Sequence, residues 1–145
     1  MTYQNKRTAI SLFLISAIAT LIWASQLFMG SKSVPHCDIN SGRCEVVSND
    51  IEYQFTLGPM PARSLNKMTL TADTELPGVN RVWVDLQGAD MYMGVNQFEM
   101  KETEGLWQGQ TQLAVCTTDT MTWLATVIFE TDSEQEIVEL RFDAR

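Results

Sequence analysis

From residue 51 to the C-terminus, apolar and polar residues alternate in short runs separated by turn-forming segments. In the first run, Tyr53, Phe55 and Leu57 are each separated by one polar residue. A period of two places successive side chains on opposite faces of a strand, so each run predicts a strand with one buried face. The predicted strands span Ile51–Leu57, Met68–Ala72, Val82–Gly88, Phe98–Met100, Leu106–Val115, Trp123–Phe129 and Val138–Phe142.

Turn-forming residues lie between the runs and limit their length. Pro59 and Pro61 interrupt the ladder after the first run, and Glu104-Gly105 predicts a hairpin. No window beyond residue 29 shows a helical period. The sequence therefore predicts an all-β domain, an immunoglobulin-like antiparallel β-sandwich of seven or eight strands, with a small barrel as the alternative.

The N-terminal region has a different pattern, because Thr8–Met29 carries no charged residue. Such a stretch can cross a hydrocarbon core of about 30 Å as a helix. Lys6 and Arg7 precede it and every acidic residue follows it, which predicts a cytoplasmic N-terminus and an exported remainder. Bulky residues end the stretch, so we expect an uncleaved anchor rather than a removed signal peptide.

These features predict a single-pass membrane protein. We expect a cytoplasmic tail at residues 1–7, a transmembrane helix at 8–29, a linker with a stapled segment at 30–43 and the sandwich at 44–145. Beyond the span, eight Lys and Arg remain against 18 Asp and Glu, a net charge of −10. An acidic exported domain is not expected to bind nucleic acid or anionic lipid head groups.

Two of the three cysteines, Cys37 and Cys44, have six residues between them, among which are turn formers. In an oxidising compartment we expect them to form a disulfide. The alternatives are a redox-active pair or a metal site with His36 as a third ligand. His36 is the only histidine, and it lies beside the expected disulfide without a plausible nucleophile partner, so we expect no enzymatic activity.

The remaining cysteine, Cys116, belongs to a group of sulfur side chains near predicted strand ends. Met91 and Met93 follow one strand, and Met121 comes five residues after Cys116. Thioether and thiolate sulfur are soft ligands that select Cu(I). Residues i and i+2 share a face in an extended segment, and the loops of a sandwich gather at its rims. We therefore predict a Cu(I) site formed by Met91, Met93, Cys116 and Met121.

Two other interpretations stay open for these residues. Methionine often fills irregular gaps in a core, and an unpaired cysteine can be a small buried hydrophobe. The loop Met91–Asn96 can also be a surface that docks onto a membrane protein complex, with no metal involved.

The order of motifs resembles a group of small membrane-anchored periplasmic proteins of Gram-negative bacteria. More distantly, it is similar to the FixH-like and YtkA-like domains. This resemblance implies an immunoglobulin-like sandwich behind one membrane span, with a role in copper delivery or in assembly of haem-copper respiratory oxidases. The implied partners are an oxidase or a copper chaperone at the inner membrane. The matching residues are Cys37, Cys44, Gly58, Pro59, Pro61, Gly88, Asp90, Met91, Met93, Gly94, Gly105, Trp107, Gly109, Cys116, Met121 and Trp123.

Overall fold

The computed structural model describes residues 15–20, 23, 33–114 and 120–145. Residues 15–20 and 23 are helical. Within the described residues, no helix has both the length and the apolar character needed to cross a membrane. Most of the predicted span Thr8–Met29 lies outside the described residues. All of the strands lie in one compact unit, Val34–Arg145.

The described part of Val34–Arg145 is all-β, as the alternation predicted. Its nine strands include the seven predicted ones, with ends that differ by a few residues. They are β1 (His36–Asp38), β2 (Arg43–Ser48), β3 (Ile51–Gly58), β4 (Lys67–Thr74), β5 (Val79–Gly88), β6 (Gln97–Thr103), β7 (Leu106–Gln112), β8 (Met121–Thr131) and β9 (Gln135–Ala144).

The two additional strands come from the cysteine-containing segment. The sequence analysis placed residues 30–43 in a linker, whereas His36–Asp38 and Arg43–Ser48 are strands of the sheet. β1 has only three residues and therefore shows no period, and consecutive valines obscure the alternation in β2. β1 forms because the distant strand β9 supplies its hydrogen-bonding partner, which a local pattern cannot reveal, whereas β2 forms a hairpin with β3.

The strands follow one another in the order β1-β9-β8-β5-β6-β7-β4-β3-β2. β6 changes partners along its length, pairing with β5 through Gln97–Met100 and with β7 through Lys101–Thr103. Because β6 pairs with both β5 and β7, the nine strands belong to one sheet. Among the described strands, every pairing is antiparallel except that of β1 with β9, so the sheet is mixed and not wholly antiparallel as predicted.

A disulfide joins the two ends of this strand order, which confirms the predicted pairing of Cys37 with Cys44. Cys37 lies in β1 and Cys44 in β2, the first and last strands of the sheet. Between them the fully buried Ile39 fixes the turn to the core. Gly42 completes the turn at φ 87°, a conformation that glycine adopts without steric cost. The stapled segment therefore closes the sheet rather than merely preceding it.

The inward-facing residues fill the space that the folded sheet encloses. The largest fully buried side chains are Trp123, Tyr53, Phe55, Phe129 and Phe142. The cavity left among the apolar core residues measures about 10 Å³. That space holds one water at most and offers an apolar lining, so the cavity cannot bind a small molecule. Groups available for function therefore lie at the ends of the sheet and on its surface.

The two ends of the sheet differ in their connections. We call the end formed by residues 59–66, 89–96, 113–114 and 120 the sulfur rim, because Met91, Met93 and Met121 lie there. The opposite end, the hairpin end, carries the turns at 49–50, 104–105 and 132–134. Glu104 and Gly105 both have positive φ, at 54° and 83°, as a tight hairpin turn requires.

Candidate functional site

The sulfur rim is organised around Gly88, the last residue of β5. Gly88 pairs with Trp123 of β8, and the Ala89 backbone N–H donates to the Thr122 carbonyl at 2.9 Å. The chain then leaves the sheet as the loop 89–96. The Leu86 N–H donates to the Asn96 carbonyl at 2.9 Å and closes the base of this loop. Loop 89–96 is therefore anchored at both ends beside the start of β8.

Two methionine side chains and one backbone carbonyl converge above Gly88. A Cβ atom built on Gly88 would overlap the Met121 Cε. It would also lie 2.6 Å from the Met91 backbone oxygen and 3.2 Å from the Met93 Cγ. Each of these methionine carbons is bonded to its Sδ atom, so both thioethers lie next to the same point. The structure thus brings Met93 and Met121 together across a sequence separation that no local pattern spans.

The three methionines of the rim differ in exposure. Met121 is 4% exposed, Met93 is half-buried against the core, and Met91 is 45% exposed. The Met91 carbonyl faces Gly88 while its side chain reaches solvent. The i, i+2 spacing of Met91 and Met93 predicted that they share one face of an extended strand. Residues 89–96 are not a strand, so the two residues do not share a strand face. Met93 and Met121 form the inner pair, and Met91 lies outside it.

The fourth predicted ligand, Cys116, belongs to residues 115–119, which lie outside the described residues. The described chain leads into this segment at Ala114 and leaves it at Thr120, immediately before Met121. Cys116 stays a predicted ligand on sequence grounds.

The alternative metal site at the first two cysteines has lost its thiol ligands. Cys37 and Cys44 are joined to each other, and a disulfide offers no thiolate to a metal. Among the described residues, no group of three or more His, Cys, Asp or Glu is arranged to hold a metal ion. The described methionines of the sulfur rim offer thioether sulfur, which suits a soft monovalent cation.

A chain of hydrogen bonds, which the sequence analysis missed, braces the rim. The Thr111 hydroxyl donates to Asn96 Oδ1 at 3.0 Å, and Asn96 Nδ2 donates to the Gln112 carbonyl at 3.3 Å. The Gln112 side-chain amide donates to the Leu65 carbonyl, and the Leu65 N–H donates to the Leu113 carbonyl at 3.1 Å. Loops 59–66 and 89–96 are both fastened to the end of β7. The sequence signals this network only through Asn96, a polar residue that lies immediately before β6.

Three large apolar side chains lie exposed on these braced loops, and we call them the apolar patch: Leu65, Tyr92 and Val95. They are 61%, 78% and 78% exposed, respectively. Leu65 has φ 64°, which is uncommon for a bulky residue and carries a steric cost. The hydrogen bonds to β7 hold it there with its side chain in solvent. Each of the three residues therefore presents apolar surface to solvent at the sulfur rim.

A perturbed ionisable group lies elsewhere, towards the hairpin end. Tyr53 is fully buried, and its hydroxyl has no hydrogen-bond partner in the described part of the chain. Burial, reinforced by the charges of Glu136 and Glu134, raises the pKa of Tyr53 to about 12. The phenol therefore stays protonated at neutral pH and offers no general base.

Comparisons with known proteins add little to this geometry. No protein-family model matches the chain, and no curated protein matches it. Among solved structures, the chain is similar to the crystal structure of an engineered protein, with 15% sequence identity and a TM-score of 0.45. The similarity covers 63% of this chain and 20% of that one, so the chain spans about a fifth of the length of the structure it matches.

Proposed function

We propose that Val34–Arg145 is a periplasmic Cu(I)-binding domain, anchored in the inner membrane by Thr8–Met29. Its ligands are Met93 and Met121, together with Cys116. The domain acts as an accessory protein in copper delivery or in assembly of a respiratory oxidase. The observation that carries this proposal is the convergence of Met93 and Met121 above Gly88.

The arrangement suits Cu(I) for three reasons. Thioethers bind soft cations, and Cu(I) accepts two or three sulfur ligands without demanding a rigid geometry. Gly88 leaves the space above β5 free of a side chain, so the two thioethers can approach each other. The pair lies at the edge of a closed core, which limits access of water and oxidants to the metal.

Replacing Met93 with leucine tests the site, because leucine keeps the apolar volume and removes the sulfur. We expect Met93→Leu to weaken Cu(I) binding by at least about tenfold, as loss of groups that hold a metal generally does. Cys116→Ser should weaken it as well. The measurement is an anaerobic competition titration of the full-length chain in detergent against a chromogenic Cu(I) chelator.

The matched control is Met68→Leu, the same substitution at a methionine of β4 that is 1% exposed. It should leave the affinity within about twofold of the wild type, since Met68 is away from Gly88. If the wild-type chain takes up no more Cu(I) than a Met93→Leu/Cys116→Ser double variant, the copper proposal is wrong.

For the architecture, we propose the immunoglobulin-like sandwich rather than a small barrel. Two layers of paired strands, β1-β9-β8-β5 and β7-β4-β3-β2, are linked through β6. On the other side β1 and β2 are linked by the disulfide. In a closed barrel, β1 and β2 would be joined by backbone hydrogen bonds. Their link through a disulfide supports a sandwich of two facing layers instead.

The apolar patch favours a second function, a module that docks loop 89–96 onto a membrane protein complex. Exposed apolar side chains on a braced loop are typical of protein contact surfaces. This function needs no metal, and it is compatible with the first because a copper carrier must also dock.

A photo-crosslinking amino acid at Val95 tests the docking function in native membranes. We expect one defined crosslinked product from position 95. The matched control is Val47, which is 66% exposed and lies near the hairpin end. Equal crosslinking from both positions, or none from position 95, would contradict docking through the apolar patch.

A further inference from the structure

The position of Met91 relative to the inner pair suggests a separate role for this residue. Its backbone lies at the pair, because the Met91 carbonyl oxygen is 2.6 Å from the Cβ position of Gly88. Its side chain is 45% exposed, against 4% for Met121. A methionine side chain is unbranched and has three rotatable bonds. The Met91 thioether can therefore alternate between solvent and the Met93–Met121 pair while its backbone stays in place.

We propose that Met91 is a transfer ligand, which takes Cu(I) from a sulfur-bearing or nitrogen-bearing carrier and passes it to the inner pair. This inference rests on the proposed function. In it, Met91 sets the rate of Cu(I) uptake and does not contribute to the equilibrium affinity for Cu(I). The partner is a Cu(I) complex in solution or on another protein. Met91 is the most exposed of the three methionines, so it is the one most accessible to an incoming complex.

The transfer is a ligand exchange with no change of oxidation state. The Met91 sulfur donates a lone pair to the bound Cu(I), and one bond between copper and the carrier breaks. The Met93 and Met121 sulfurs then replace the remaining carrier ligands, and the carrier leaves with its own electron pairs. Copper stays Cu(I) throughout, and no proton needs to move between thioethers.

The surroundings of Met91 suit an approaching carrier. Tyr92 and Val95 on the same loop are each 78% exposed and present an apolar surface beside the thioether. The loop is fixed at its base by the Leu86–Asn96 hydrogen bond and at its side by Asn96 and β7. The carrier thus meets a braced loop whose methionine side chain has three rotatable bonds, and the fixed backbone lowers the ordering cost of the exchange.

The test compares the rate and the equilibrium of Cu(I) uptake by the full-length chain in detergent. Cu(I) is supplied anaerobically as its complex with two bicinchoninate ligands, and stopped-flow absorbance follows loss of the coloured complex. For Met91→Leu we expect uptake about tenfold slower with the equilibrium affinity within about twofold of the wild type, because a ligand outside the final set affects the path alone. For Met93→Leu we expect the affinity itself to fall.

Met60→Leu is the matched control. Met60 lies in loop 59–66 at the same rim and is half-buried, but it contacts the region of Gly42 rather than Gly88. It should change neither the rate nor the affinity. A third variant, Tyr92→Ser, removes apolar surface while keeping every sulfur, and it should slow uptake less than Met91→Leu.

The outcomes separate the two proposals. If the wild type binds Cu(I) and Met91→Leu leaves the uptake rate unchanged, the transfer role is wrong and the proposed function stands. If Met91→Leu lowers the affinity as much as Met93→Leu does, Met91 is a resident ligand and the transfer role is again wrong. If the wild type binds no Cu(I), the proposed function fails and the inference fails with it.

Discussion

Gly88→Ala should destabilise the domain by about 1–3 kcal/mol, in the range typical of overpacked sites. The added Cβ would overlap the Met121 Cε, and it would lie 2.6 Å from the Met91 carbonyl oxygen. A side chain can rotate away, but a backbone carbonyl moves only if loop 89–96 shifts. The substitution should therefore also separate Met93 from Met121 and weaken Cu(I) binding. Urea unfolding of the variant and the competition titration measure the two effects.

Gly58→Ala is the matched control for this prediction. Gly58 is the last residue of β3, as Gly88 is the last residue of β5, and no described atom lies within 4 Å of its Cβ position. We expect its free energy of unfolding to stay within about 0.5 kcal/mol of the wild type. Equal stability of the two variants would show that the space above Gly88 is not filled as described.

Removing the disulfide should have the largest effect on stability. For Cys37→Ala/Cys44→Ala we expect a loss of about 2–5 kcal/mol, the usual range for a small exported domain. The effect has a structural part here, because the bond joins the first and last strands of the sheet. Without it, the three-residue β1 is held by its pairing with β9 and by the burial of Ile39.

Hydrogen exchange of the oxidised and doubly substituted chains locates this effect. Protection should fall first at Ile39 and Glu139, whose N–H groups donate to Arg141 and Pro35 at 2.9 Å. The central β5–β8 pairing should keep its protection until global unfolding. Uniform loss of protection across all strands, or no loss along β9, would contradict a closing role for the disulfide.

Much of this fold could be predicted from local patterns. Tyr53, Phe55 and Leu57 alternate with polar residues and are buried as the period of two requires. The alternation depends only on the geometry of a single strand, so it can be recognised without knowing which strands pair with it. The disulfide could be predicted too, since two cysteines near each other in a chain predicted to be exported have few other partners. β1 was missed because three residues carry no period.

Local sequence patterns indicated which side chains could bind a metal, but not which of them lie close together. The sulfur residues could be recognised one by one, and the proposal that they bind Cu(I) rests on the softness of sulfur ligands. Which of them meet depends on β5 lying beside β8 and on the register that sets Gly88 opposite Trp123. The sequence suggested Met91 and Met93 as the natural pair, whereas the structure pairs Met93 with Met121 and leaves Met91 in solvent.

The sequence by itself therefore determined the all-β class, the seven longer strands, the disulfide and the types of side chain available for chemistry. These properties are local, since they follow from spacing along one strand or from the identity of single residues. Only the tertiary structure decided that β1 and β2 close the sheet and that Gly88 admits Met93 and Met121 to one point. Strand order and register depend on the apolar surface buried by the whole sheet, and a short stretch of sequence does not determine that total.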